Sequence, residues 1–344
     1  MHEDYGIVAR VAELVARRGD ATRLDATPRG RVRTLHAGAY ASAHQGRGME
    51  FDETRAYQAG DDVRAIDWRV TARTGRVHTK LFHEERERPV LLLVDQRTHM
   101  RFGTRDAFKS VVAARAAATV AWAARDRGDR VGGLILSDGP LRRGLHAPQR
   151  SRARLLHFLS ALSDATAAGQ RQAPERSHER AGTGSERAAL ARRAGDLPPH
   201  PLADALALLA RTSRPGTLLW IISDFVDLDD EATRQLTRLS RRNQVACVLV
   251  HDALESALPS SDAFRVSDGT RVLELPTGSR RWRDEYAARF AARRERLETL
   301  CRERDMGFVA IRTGDDVTPL LRGGVQRTTS RTTHAPRSAA GGAR

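Results

Sequence analysis

Cysteine, lysine and long apolar runs are scarce in this 344-residue chain. Its two cysteines, Cys247 and Cys301, fall in a predicted strand and a predicted helix, so reduced buried thiols are expected rather than a disulfide framework. No apolar run approaches the roughly 18–20 residues that cross a bilayer. The stretches LLLV at 91–94 and LLWII at 218–222 are strand-sized. Met1 to Arg18 is too polar for a secretory signal, so a cytoplasmic protein without membrane insertion is expected. A Ser-His-Asp order, a phosphate loop, a dinucleotide fingerprint and Cys/His zinc spacing are missing as well.

Lysine is rare in a chain that is nonetheless strongly basic. The net charge is +15, with Lys80 and Lys109 the only lysines among 58 basic residues. An arginine bias this strong is what a GC-rich coding sequence produces. Part of the excess sits between Arg322 and Arg344, a stretch without acids. Phosphate contact needs charge clustered on one folded face, which composition does not reveal. A solvated surface is therefore the default, and nucleic acid is not the expected partner.

What the chain does have is an ordered polar segment leading into a buried strand. Residues 46–100 are dense in charge, yet interleaved with Phe51, Tyr57, Val63, Ile66 and Trp68, unlike a disordered charge run. The turn signal Gly60-Asp61-Asp62 is followed by Ile66-Asp67-Trp68. Val77, Thr79 and Leu81 then alternate with His78, Lys80 and Phe82 in strand rhythm. After Pro89 the run VLLLVD ends on Asp95.

Further along, apolar strands are predicted at Val90–Asp95, Val131–Ser137, Thr217–Ser223, Val245–Val250 and Gly307–Arg312, with GPLRRGLH as a short edge strand. Amphipathic helices alternate with them, and VSDGTRVLELPTG reads as a hairpin about Asp268-Gly269. An N-terminal helix carries Ile7, Val11, Leu14 and Val15 on one face. This alternation predicts an α/β fold, a mostly parallel sheet with helices on both faces. Three parts are expected: a helix and signature segment at 1–88, the main domain at 89–321 with a flexible insertion at 167–199, and a disordered basic tail at 322–344.

The signature has a fixed order: Gly46-Arg47-Gly48-x-Glu50-Phe51, Arg55-x-Tyr57, Gly60-Asp61-Asp62-x-Arg64-x-Ile66-Asp67-Trp68, Ala72-Arg73, and Glu84-Glu85-Arg86-Glu87 before the strand ending in Asp95. It resembles the bacterial and archaeal family catalogued as domain of unknown function 58. The resemblance implies a von Willebrand A-like, Rossmann-like core. It also implies an interaction module working with a MoxR-type AAA+ ATPase, and with other von Willebrand A-domain proteins, in assembly, maturation or stress handling of other proteins. A hydrolase using Asp95 and Asp224 and an arginine-driven nucleic-acid binder are the competing readings.

Asp95 and Asp224 each end or follow a predicted strand and should meet at the carboxyl edge of the sheet. In von Willebrand A domains that edge holds a divalent metal through Asp-x-Ser-x-Ser, a Thr and a further Asp. Here the run reads Asp95-Gln96-Arg97-Thr98-His99, and Pro199-His200 stands where the family has Gly-Thr. Both serines are gone, which leaves a degenerate adhesion site. No metal and no cofactor are expected, with Arg97 standing between the two carboxylates as the cation. A transition-metal set of Asp95, His99, His200 and Asp224 is the alternative, opposed by the charge of Arg97. His251-Asp252 reads as a cap. Asp61, Asp62, Arg64, Asp67 and Arg73 read as a paired polar network joining signature to core, with Trp68 filling a pocket.

Overall fold

The computed structural model describes residues 6–22, 24, 49–58, 61, 63–84, 88–168, 201–260, 264–267, 272–275 and 277–323. The expectations for 169–199, for the tail beyond Gly323, and for Gly60, Asp62 and His200 fall outside those residues. Two compact units are formed: residues 33–88, and residues 1–32 together with 89–344.

The smaller unit pairs β1 (Met49–Ala56) antiparallel with β2 (His78–Glu84), with a bulge between Phe51 and Glu53. The connection carries a short helix at Trp68–Thr74. Asp67 caps its start and Gly75, at φ 69°, closes its end in the left-handed region that glycine adopts freely.

The larger unit begins with α1 (Val11–Ala16) and α2 (Arg18–Ala21), so the N-terminal helix belongs with the main body and not with the signature segment. Of its expected apolar face Leu14 is fully buried, and the Leu14 carbonyl accepts a 3.0 Å hydrogen bond from the Trp122 indole. The helix in the smaller unit is numbered α3.

Then follow β3 (Pro89–Asp95), α4 (Lys109–Asp126), β4 (Arg130–Leu136), β5 (Leu145–Gln149), α5 (Arg152–Ala167), α6 (Pro201–Thr212), β6 (Leu218–Ser223), α7 (Asp230–Ser240), β7 (Gln244–His251), α8 (Ala253–Ser256), β8 (Phe264–Ser267), β9 (Val272–Leu275), α9 (Arg280–Glu303), β10 (Gly307–Arg312) and α10 (Val317–Gly323). Strands β8 and β9 form the expected hairpin. The sheet order is β10-β7-β6-β3-β4-β5, parallel except for the edge strand β5. The edge begins later than the sequence suggested, because residues 141–144 form a 3-10 turn before β5 starts.

Strand alternation divides the core in two. Val90, Leu92 and Val94 pack with α1, α4, α5 and α10 on one face. Leu91 and Leu93 pack with α6, α7 and α9 on the other. Helices therefore cover both faces, in the doubly wound, von Willebrand A-like arrangement. The thiols of Cys247 on β7 and Cys301 on α9 are free, buried and in mutual contact; their hydrogen bond and burial raise the pKa of Cys247.

Candidate functional site

The chain reverses its direction of winding between β3 and β6. From β3 it runs through α4 to β4 on one face, and it reaches β6 through α6 on the other. Val94 pairs with Ile222, so Asp95 and the Ser223-Asp224 turn lie side by side at the carboxyl edge. Asp95 is fully buried and Asp224 nearly so. The sequence reading placed these two carboxylates together, and they are.

Arg97 is the cation of this crevice, but its second partner differs from the expected one. Its Nε and Nη2 donate to Oδ1 and Oδ2 of Asp95 at 2.9 and 2.6 Å, a bidentate fork. Its Nη1 and Nη2 also donate to Oδ2 and Oδ1 of Asp227 at 2.6 and 3.0 Å. Arg97 thus joins Asp95 to Asp227, and not to Asp224. The loop after β6 explains this correction: Phe225 is buried with φ 52°, which turns the chain and brings Asp227 over the guanidinium. Asp227 also accepts the Leu202 amide at 3.2 Å, at the start of α6.

Asp224 is held by other groups. Lys109, the first residue of α4 and almost wholly buried, donates to Asp224 Oδ2 at 2.6 Å and to Glu255 Oε1 at 2.8 Å. Glu255 in turn accepts the Asp252 amide at 2.9 Å, closing the capping box that starts α8. Asp252 is therefore a cap, as read from the sequence. His99 Nε2 lies 3.3 Å from Asp224 Oδ1 and 3.6 Å from Asp95 Oδ2, an ion pair without hydrogen-bond geometry.

The ionisation states follow from these contacts. Burial alone would raise the pKa of Asp95, but the hydrogen bonds of Arg97 and the charges of Arg97 and His99 outweigh it and hold the carboxyl below its usual range. Burial opposes ionisation of Asp224 too, and His99 and Lys109 overcome it. For His99, burial favours the neutral ring, yet Asp224 and Asp95 push its pKa up to about 9. Arg97 and Lys109 are likewise held charged by their carboxylate neighbours against the effect of burial. Four carboxylates, of Asp95, Asp224, Asp227 and Glu255, thus meet three side-chain cations.

Such a donor set does not fit the octahedral oxygen shell of Mg²⁺. Asp95 Oδ1 takes Arg97 Nε and the Arg97 amide, and Oδ2 takes Arg97 Nη2 and the Ser223 hydroxyl at 2.7 Å. Asp224 Oδ2 is bound by Lys109, and Oδ1 by the Val226 amide. Asp95, His99 and Asp224 do place one ligand atom each within 4.8 Å of one another. A transition metal there would have to displace the His99 proton and compete with the Arg97 fork.

Beside the crevice, a groove of about 530 Å³ has a floor of Phe225, Leu228 and Phe290. Val226, Glu255, Arg289, Arg293 and Arg296 also line it, with Arg289 paired to Glu285 and Arg296 to Asp230. Val226, two residues after Asp224, is 52% exposed.

Several contacts of the signature residues are made within the signature itself. Asp61 accepts from Arg55 Nη2 at 2.7 Å and from the Gln58 amide. Asp67 accepts the Arg69 and Val70 amides as the helix cap. Arg64 and Arg73 are exposed. Trp68 is 69% exposed, which corrects the expectation of a pocket-filling anchor. It starts a seven-residue helix that buries none of its residues and whose ends are both closed by local bonds.

Comparison with known proteins gives a family and relatives. The family described as "Protein of unknown function DUF58" matches residues 53–296. "Uncharacterized protein Rv1480" of Mycobacterium tuberculosis and "Uncharacterized protein Mb1516" of Mycobacterium bovis are each 30% identical over 272 residues, covering 79% of this chain and 77% of theirs. The crystal structure of conserved hypothetical protein BatB from Bacteroides thetaiotaomicron aligns with a TM-score of 0.34 at 12% identity. It covers 65% of this chain and 90% of that one, a likeness too low to bear on function.

Proposed function

Because the chain belongs to the DUF58 family, we propose that it is a protein-interaction module whose adhesion-type edge works without metal, paired with a MoxR-type AAA+ ATPase. One observation carries this reading: Arg97 occupies both oxygens of Asp95 and both of Asp227, so the chain supplies the cation itself. A hydrolase is not favoured by this geometry. Both edge carboxylates are consumed in ion pairs, and the Ser223 hydroxyl that donates to Asp95 is fully buried, out of reach of a substrate. The neighbouring groove supports docking instead, since an apolar floor beside Arg293, which has no carboxylate partner among the described residues, suits a segment with an apolar anchor and an acid. The ATPase partner comes from the family resemblance.

The test is co-purification of the chain with the MoxR-type ATPase of its own organism, in EDTA and in excess Mg²⁺ without nucleotide. A complex that persists in EDTA and is weakened at least tenfold by Val226→Asp supports the proposal. A complex that needs Mg²⁺ on this chain, or the absence of any complex, overturns it. Val226 is exposed, so that substitution should leave the fold intact.

A further inference from the structure

On the α7 side of the sheet lies a second groove, of about 570 Å³, at the end remote from Asp95. Five arginines line it: Arg234, Arg238 and Arg241 along one side of α7 and just past its end, then Arg242 and Arg304. Arg242 lies two residues before β7 and Arg304 three before β10, so both mark the amino edge of these parallel strands. Arg234 pairs with Glu231 at 2.6 Å. Among the described residues, Arg238, Arg241, Arg242 and Arg304 have no carboxylate partner. Their backbones are fixed: the Arg242 amide donates to Leu239, its carbonyl accepts from Gly216, and the Arg304 amide donates to Leu300.

Composition alone did not distinguish scattered arginines from a site, and clustering on one face is the feature that does. We propose that this groove binds closely spaced phosphate groups. Its remaining lining is Thr233 and Thr237, so it offers guanidinium forks and hydroxyl-bearing side chains with no acid among them. That set matches tetrahedral oxyanions. The lining holds no apolar residue to bury a peptide anchor and no aromatic on which a base could stack. Contact is therefore with phosphates rather than bases, and it is independent of sequence. Helical spacing sets Arg234, Arg238 and Arg241 about 4.5–6 Å apart along the axis, a row rather than a point. A row suits a phosphate polymer, whether a nucleic-acid backbone or inorganic polyphosphate. This inference does not depend on the interaction reading above.

The experiment is fluorescence anisotropy of the full chain with a labelled mixed-sequence 20-mer of single-stranded DNA, across a salt series. Unlabelled polyphosphate and poly-glutamate serve as competitors. Four to five phosphate contacts give a slope of log K on log salt of about −3. Arg238→Glu/Arg241→Glu should weaken binding at least tenfold and reduce that slope by about 1.5. Arg152→Glu/Arg154→Glu, exposed on α5 across the sheet, should leave it within twofold. The C-terminal arginines are present in every variant and cancel. Polyphosphate displacing DNA at equal phosphate would identify the free polymer as the ligand, and DNA resisting it would identify the nucleic-acid backbone. Either order supports the groove. Equal losses in the two double variants, or poly-glutamate competing as well as polyphosphate, would overturn it. Circular dichroism melts check that each variant is folded.

Discussion

Two sets of arginine chemistry coexist in this molecule. At the carboxyl edge of the sheet, Arg97 is buried and its donors are spent on Asp95 and Asp227. Along α7, Arg238, Arg241 and Arg242 are exposed, with no carboxylate partner among the described residues. The first set is closed, since its charges already answer one another inside the fold. The second is open, since its charge can be satisfied only by solvent ions or a ligand. A count of arginines treats the two alike. Burial and partner distance separate them, and each predicts a different response to mutation.

The largest difference should appear in stability. Arg97→Ala leaves Asp95 buried without its main counter-charge, so a loss of about 3–5 kcal/mol in urea unfolding is expected. Arg241→Ala removes a charge that repels its neighbours and should leave the unfolding midpoint unchanged or slightly raised. Equal effects at the two positions would dissolve the comparison. Next comes pH. His99 ionises near its ordinary value in the unfolded chain but at about 9 in the fold. Its stabilising contribution is complete below pH 6.5 and is lost as pH rises through 9. The melting temperature should decline across that window, and His99→Gln should flatten the decline. Because about a third of the His99 side chain is exposed, solvent screening makes this effect smaller than that of Arg97. A wild-type profile as flat as that of the variant would show that His99 is not paired as described.

Much of this was legible in the chain, for identifiable reasons. Uninterrupted apolar runs fixed the five parallel strands to within a residue or two, because a strand buried on both faces tolerates nothing polar. The position of Asp95 and Asp224 followed from strand ends alone. The partners Asp227 and Lys109 did not, because one depends on the backbone reversal at Phe225 and the other on where α4 begins. No periodicity encodes either. Lys109 had one signal, its rarity: of two lysines in an arginine-rich chain, this one is buried against two carboxylates. Trp68 failed for the opposite reason. An aromatic in an ordered motif looks like core, yet local caps at Asp67 and Gly75 let its helix stand without burying it.

That exposure gives a smaller prediction. Trp68→Ala should cost under about 1 kcal/mol, well below the range for buried aromatics. A cost of 3 kcal/mol or more would restore the buried reading. If stability is kept while the ATPase complex weakens, Trp68 is a contact of the signature unit.

The smallest expected signal is the heat of metal binding, and it bears most directly on whether the carboxyl edge is closed. Mg²⁺ seeks six oxygens near 2.1 Å, and here the oxygens of Asp95 and Asp224 already accept bonds from Arg97, Ser223, Lys109 and Val226. Binding would have to break a bidentate guanidinium pair and place a dication beside Arg97 and Lys109. Calorimetric titration with Mg²⁺ or Mn²⁺ at pH 7 should therefore give the heat of dilution alone. Zn²⁺ is the sharper probe, because Asp95, His99 and Asp224 lie within ligand reach of one another. At pH 7 His99 holds a proton that the metal must expel, so Zn²⁺ should also be silent there. Replacing Arg97 and His99 together by serine restores the hydroxyls and removes two cations, and Mg²⁺ heat should then emerge. Tight Mg²⁺ binding by the unaltered chain would show that the crevice is open after all. Zn²⁺ binding that disappears in His99→Ala would show that the three side chains can act as a metal site despite Arg97.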